Sequence, residues 1–346
     1  MDNILTQQGE RTMLIRLTAL WAMNEAGLGG LMHLLRSPFT GIFVGGGAVL
    51  LIAMIGRTAK RPAAEILKAL VLVLIIKAAV SPHSPLPAYL AVSFQGLLGA
   101  LIFSVVPSFR LGALILGTLA LVEAAMQKLL VMTLLFGMPL WKALDAFVDG
   151  VLTKFNLLED GAGARGSLWV VGAYVGVYTI SGVLIGWLAG RLPEEVNEAA
   201  KRLTVPVHET DPATDAPQKK KHIFQKKYFQ TMLLLAGILA SAYFFSPKAW
   251  SGLASLWLVV RVFLLIGVWY LILGPMLMRL LQKFLKKKRS AYQEDVETAL
   301  NLLPVFQVLA RSAWRETSGL RGLSRIKELA IRIVTYALMY SKPAGR

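Results

Sequence analysis

Ala19-Leu-Trp-Ala-Met-Asn-Glu-Ala-Gly-Leu-Gly-Gly30 lies in the middle of the first long apolar segment of the chain. Ala22, Ala26 and Gly30 recur every four residues, and on a helix that spacing lines three small side chains into one stripe that another helix can approach closely. Glu25 sits beside the stripe. A carboxylate at this depth in lipid costs roughly 2.5 to 3.5 kcal/mol on insertion scales, so Glu25 is expected to face protein or water. Two roles stay open for it: tuning a helix-docking surface made by Ala22, Ala26 and Gly30, or reaching the floor of a binding pocket.

The surrounding chain has the composition of a membrane protein. Its 346 residues are 55 % hydrophobic, its mean hydropathy is +0.58, and its apolar residues fall in runs long enough to cross a bilayer. The net charge of +17 is gathered in particular loops and at the C-terminus rather than among base-stacking aromatics, which favours membrane topology over nucleic-acid binding. The absence of cysteine excludes disulfides, thiolate metal sites and cysteine nucleophiles. Met13 to Leu35 is too long for the apolar core of a cleaved signal and is expected to be a retained first helix.

The expected fold is all-α and polytopic, with spans at roughly Met13–Leu35, Phe39–Ile55, Ala63–Val80, Leu86–Val106, Leu111–Phe136, Leu168–Gly190, Tyr228–Phe245 and Leu256–Leu281. Residues 1–191 form a six-helix bundle, 192–227 a polar linker whose centre from Pro206 to Pro217 has no helical period, 228–283 two further spans, and 284–346 a basic tail of amphipathic helices. Basic residues mark one side of this topology: Arg57, Lys60 and Arg61, then Arg110, then Arg191 to Lys227, then Lys283 to Arg289. By the positive-inside rule both termini are cytoplasmic, and a bacterial inner membrane is the expected location. Trp141, Trp169 and Trp250 then fall near the outer interface and Trp187 near the inner one. In the last tail helix Ile326, Leu329, Ala330, Ile333, Val334, Ala337 and Leu338 make an apolar stripe that must lie on something, either a membrane surface or a partner protein.

No enzyme motif is present. Gly45, Gly46 and Gly47 lie inside an apolar span, where close helix packing explains them better than a phosphate loop, and the four histidines make no H-E-x-x-H pair. The chain is therefore not expected to be an enzyme, and no cofactor or metal is implied. What remains is a set of polar groups within the apolar spans. His33, Arg36, Lys77, His83, Tyr89, Gln95, Gln127, Lys128, Trp169 and Tyr174 fall in the outer half, with Glu123 and Glu25 nearer mid-depth. Together they suggest an outward-facing pocket whose cations favour a small anionic solute. Glu123 is placed to accept from Gln127 one turn away, and Glu65 with Lys68 to form a local ion pair.

The first 190 or so residues resemble the substrate-binding S component of an energy-coupling factor (ECF) vitamin transporter. The likeness rests on six spans with both ends on one side, on Ala22-Met-Asn-Glu-Ala26 in the first helix, and on a proline-bearing outer connection followed by Pro87-Ala-Tyr-Leu-Ala-Val-Ser-Phe-Gln-Gly96. The resemblance implies that the Ala22 and Ala26 face docks on a membrane-embedded coupling subunit while outer loops close over the substrate. The tail is similar in outline to the coupling end of a T component, with Ala310-Arg311-Ser312 and Leu320-Arg321-Gly322 in the place of its short arginine motifs; this implies that Arg311 and Arg321 meet an ATPase supplied by another chain. The expected function is thus a transport subunit that captures a small polar, anionic, vitamin-like solute and works with energising subunits in trans. The competing expectation is a membrane scaffold whose basic tail recruits a partner protein or anionic lipid.

Overall fold

The computed structural model describes residues 9–28, 39–81, 84, 86–155, 165–206, 260 and 262–340. Among these every regular element is a helix. In chain order they are α1 (Glu10–Met23), continued by a π-helical segment (Asn24–Leu28), α2 (Thr40–Thr58), α3 (Pro62–Val80), α4 (Leu86–Val105), α5 (Phe109–Phe136), α6 (Met138–Lys154) and α7 (Gly166–Arg202). After helical residues 262–267 come a second π-helical segment (Val268–Leu273), α8 (Gly274–Ala291), α9 (Gln293–Glu316) and α10 (Gly322–Met339). The expected span Tyr228–Phe245 and the centre of the linker lie outside the described residues.

Four of these helices, α2, α4, α5 and α7, are long and apolar enough to cross a membrane. Their outward faces agree with that. On α4, Leu90, Phe94, Leu97, Leu101 and Val105 are all exposed, and their spacing of three and four residues sets them on one stripe. On α7, Val177, Ile180, Leu184 and Trp187 are exposed at the same three- and four-residue spacing, and Leu168, Trp169 and Val170 near its start are exposed too, an amount of apolar surface that soluble monomers avoid.

α2 is the hub, in contact with α1, α3, α4, α5 and α7. Its glycines make this possible. A Cβ at Gly46 would stand 2.6 Å from the end of Ile185 on α7, and one at Gly47 would run into the Asn24 Oδ1. At Gly45 the Gln95 amide of α4 is 3.0 Å away, and at Gly41 the Ala124 methyl of α5 and the Tyr178 ring of α7 are 3.1 and 3.2 Å away. Helix packing is therefore the reason for the glycine run.

The closest crossing of all joins α5 to α7, where backbone meets backbone. A Cβ at Gly117 would stand 2.6 Å from both the Gly182 carbonyl oxygen and the Gly186 Cα, and one at Gly186 would stand 2.8 Å from the Ala113 oxygen. Ala113 with Gly117, and Gly182 with Gly186, are each four residues apart, so both helices present a small-residue face to the other.

The N-terminal end of α1, the α2–α3 turn, the start of α5 and the end of α7 meet at one end of the bundle. The Lys60 backbone N–H donates to Glu10 (2.8 Å), Arg110 pairs with Glu194 (2.7 Å), and the Arg191 guanidinium lies over the Trp187 ring. Arg57, Lys60, Arg110 and Arg191 thus gather on one face, as the loop charges predict. α7 runs on through Pro193 to Arg202, well past the expected end of its span.

The tail closes over this same end. α9 packs on α1 and α3, and α10 on α7 and α1. Lys327 pairs with Glu195 (2.6 Å), Arg16 donates to the Leu338 carbonyl, and Tyr336 and Arg332 both donate to Glu316. The surface covered by the amphipathic tail is thus in large part the chain's own bundle. Ile331, Val334, Ala337 and Leu338 are buried there, whereas Ile326 at the other end of the stripe stays exposed. Lys68 pairs with Asp295 of α9 (2.7 Å) rather than with Glu65.

At the opposite end, residues expected to be an outer loop form α6. Gly137, between α5 and α6, has φ 66° and ψ −161°, a region open essentially to glycine alone. The Asp145 carboxylate accepts the Ser167 N–H (2.7 Å), supplying from α6 an acceptor for the first turn of α7.

Candidate functional site

Polar side chains within the apolar bundle gather at two seams in the half away from the tail. The first joins α1 to α3. Where α1 widens into its π-helical segment, the Glu25 carboxylate meets the Lys77 ammonium at 2.8 Å, and each side chain is only 4 % exposed. Single π-turns of this kind recur at functional sites because the extra residue re-aims a side chain. The neighbouring Asn24 amide donates to the Val44 carbonyl of α2 (2.8 Å). Tyr89 of α4 is 2 % exposed, its ring centre lies 6.0 Å from the Lys77 ammonium, and its hydroxyl is buried with no hydrogen-bond partner among the described residues.

The pairing of Glu25 with Lys77 joins a residue that the sequence leaves open between a docking face and a pocket floor to one that it places in the pocket. An isolated charge of either sign would be prohibitive here, but as an ion pair at charge-assisted distance they neutralise one another. Lys77 therefore does not snorkel to an interface, and its charge is already matched.

The second seam lies between α5 and α7. Glu123 has a buried carboxylate oxygen, Oε2, and Tyr174 a buried hydroxyl, each without a partner among the described residues. The Lys128 ammonium is 6.0 Å from the Tyr174 ring centre, and the Tyr174 and Tyr178 rings are 4.9 Å apart. Gln127 does not reach back to Glu123: its amide is directed at the Pro87 carbonyl at the start of α4, at a long 3.5 Å. Gln95, buried on α4, abuts Gly45 on the face of α2 between the two seams.

Other expected residues fall elsewhere. Trp169 is 76 % exposed among the apolar residues of α7 and takes no part in either seam. Ala22 is wholly buried in the chain's own core. Beyond it the helix becomes π-helical, so Ala26, which is half-buried, no longer continues a straight four-residue stripe. Gly30, His33, Arg36 and His83 lie outside the described residues. Arg311, in the last part of α9, and Arg321, just before α10, are exposed; Trp314, Leu320, Leu323 and Ile326 around them are exposed as well, and the Arg325 guanidinium covers the Trp314 ring.

Sequence reasoning passed over Asn24 as a member of the site, although it carried a usable signal, being a polar residue next to Glu25 in an apolar run. Among the described residues no group of three or more His, Cys, Asp or Glu side chains is placed to hold a metal ion.

With both seams largely closed, the described polar groups can offer a solute the Glu123 oxygen and the Tyr174 and Tyr89 hydroxyls, set beside the charge-matched Lys77 and beside Lys128. No protein-family profile, curated protein or solved structure matches this chain.

Proposed function

We propose that this chain is an integral membrane transport subunit, with both termini cytoplasmic in a bacterial inner membrane, that captures a small polar solute from the outer side and works with energising subunits in trans. The observation that carries the reading is the presence of buried, unpartnered polar atoms on Glu123 and Tyr174 in the same half of the bundle as the buried Glu25–Lys77 pair. Ionisable groups held at such depth are costly and are kept where a solute or ion path needs them. Lys77 is matched by Glu25, and the preference for an anionic, vitamin-like solute is the sequence expectation that sets the basic residues His33, Arg36, His83 and Lys128 in this half of the chain. The likeness of residues 1–190 to ECF substrate-binding components supports the same role.

The test uses the full chain in detergent, screened by thermal shift against vitamin-like and carboxylate solutes, followed by direct binding of any hit to Glu123→Gln and Tyr174→Phe. The expected result is a stabilising ligand whose binding falls at least tenfold in both variants, about 1.4 kcal/mol or more, while their unliganded melting temperatures change little. A chain that binds none of the solutes and copurifies with no ATPase overturns the proposal.

One observation favours a scaffold instead. Trp314, Leu320, Leu323 and Ile326 stand exposed beside Arg311 and Arg321, and the basic helix α8 is largely exposed, a surface suited to a partner protein or anionic lipid. Under that reading Arg311→Ala with Arg321→Ala abolishes recruitment, and Glu123→Gln leaves function intact.

A further inference from the structure

A cleft of about 320 Å³ opens between α1 and α3, lined by Glu10, Arg11, Leu14, Ile15, Thr18, Glu65, Lys68, Ala69 and Leu72. It lies at the tail end of the bundle, far along both helices from Glu25 and Lys77. Its depth is apolar: Leu14, Ala69 and Leu72 are buried, and the Thr18 hydroxyl is already spent on the Leu14 carbonyl (2.7 Å). Its rim is charged, and three of the four rim charges are taken. Glu10 pairs with Lys60, Arg11 with Glu294 and Asp295, and Lys68 with Asp295. Glu65 is half-buried and makes no ion pair among the described residues.

We propose that this cleft holds a phospholipid with a primary ammonium headgroup, a phosphatidylethanolamine, with an acyl chain along Leu14, Ile15, Ala69 and Leu72 and the ammonium on the Glu65 carboxylate. The inference rests on the bundle being membrane-embedded. Charge complementarity selects the headgroup. The free carboxylate accepts N–H donors, which a primary ammonium supplies and a trimethylated one does not. Arg11 and Lys68, although paired on the rim with Glu294 and Asp295, carry more N–H donors than those pairs use, and these suit the adjoining phosphate. An anionic glycerol headgroup would bring its phosphate to a rim already carrying Glu10, Glu65 and Asp295 with no cation of its own. Glu65 also stands in the first turn of α3, where the helix dipole favours a carboxylate; that effect is the same whatever lipid is present, so lipid selectivity separates the two roles.

The experiment compares phosphatidylethanolamine, phosphatidylcholine and phosphatidylglycerol of identical acyl chains, retained by the full chain in native mass spectrometry. One phosphatidylethanolamine per chain is expected to be held about tenfold more tightly than either of the others. Glu65→Gln should erase that preference, and Ile15→Trp, which fills the half-exposed side of the cleft, should lower retention of all three. Equal retention of the three lipids by the wild-type chain overturns the proposal, as does a preference that survives Glu65→Gln. If Glu65→Gln does not fold, undiminished phosphatidylethanolamine retention by Ile15→Trp overturns it. Release of the wild-type chain from membranes by alkaline carbonate overturns the membrane reading as well, whereas loss of selectivity in an inserted chain overturns this inference alone.

Discussion

Glu25–Lys77 and Arg110–Glu194 are ion pairs of almost the same length, 2.8 and 2.7 Å, in opposite halves of the bundle. They differ in what surrounds them. Both side chains of the first are 4 % exposed and both of the second 64 %. Geometry alone would rank them equal, yet burial makes them different objects. In the apolar half each charge is tolerable only because the other is there, so the pair locks α1 to α3. At the rim, water solvates each charge separately, so the pair ties α5 to α7 only loosely while the glycine crossing above it does the joining.

The largest expected effect follows from breaking the buried pair on one side. Lys77→Met leaves Glu25 uncompensated, and Glu25→Leu leaves Lys77 so; each should cost about 3–5 kcal/mol. The double variant should recover most of that loss, since two apolar side chains of similar size need no compensation. Denaturant unfolding of the full chain in detergent micelles reads both quantities. Single variants as stable as wild type would mean that water reaches the pair and that the two halves are alike.

Next in size is the glycine crossing. Gly182→Ala sets a methyl 2.7 Å from the Gly117 oxygen and 2.9 Å from the Thr118 Cα. No flexible side chain is there to give way, so α5 and α7 must separate. A loss of about 1–3 kcal/mol is expected, as for other overpacked contacts. A wild-type melting point for Gly182→Ala would show that the helices slide at no cost, and the rim pair would then have to be credited with holding them.

Asp295 stands between the two extremes. Its side chain is 8 % exposed but its partners are not deeply buried, Lys68 being 31 % and Arg11 64 % exposed. Burial pushes its carboxyl up, and the hydrogen bonds from Lys68 and Arg11 outweigh that, leaving it below the usual carboxylate range. A folded-state pKa lower than the unfolded one gives stability that is complete above about pH 3.9 and lost as pH falls through the lowered folded value. Asp295→Asn should therefore destabilise the chain at pH 7, by on the order of 1 kcal/mol, and the gap from wild type should close below about pH 4. Melting curves taken from pH 7 to pH 3 test this, and a gap that widens on acidification would reverse the assignment.

The helices themselves were legible, because an apolar run of about 20 residues needs no partner to be recognised. α2, α3, α4 and α5 begin and end within about three residues of the expected spans. What was not legible is what each helix touches. Glu25 and Lys77 were both singled out, Glu25 for a docking face or a pocket floor and Lys77 for a pocket, but never as a pair, because a separation of 52 positions along the chain hides their adjacency. The tail stripe was visible as amphipathic, but amphipathicity says only that a face is covered and not by what. The small pairs Ala113 with Gly117 and Gly182 with Gly186 had the same four-residue spacing as Ala22 with Ala26. Without knowing which helices are neighbours, nothing ranks one such pair above another.

The smallest expected effect lies at the exposed pair. Glu194 accepts two hydrogen bonds from the same Arg110 nitrogen, at 2.7 and 2.8 Å, a geometry no worse than that of the buried pair. Glu194→Gln keeps the size of the side chain and removes its charge. Because both groups are mostly in water, solvent replaces the lost attraction, and salt screens what remains. The variant should melt within experimental error of wild type at physiological salt, with at most a slight difference at low salt. A clear loss of stability that persists in high salt would mean that the rim is drier than its exposure indicates, and that burial of the side chains is not what separates the two ion pairs.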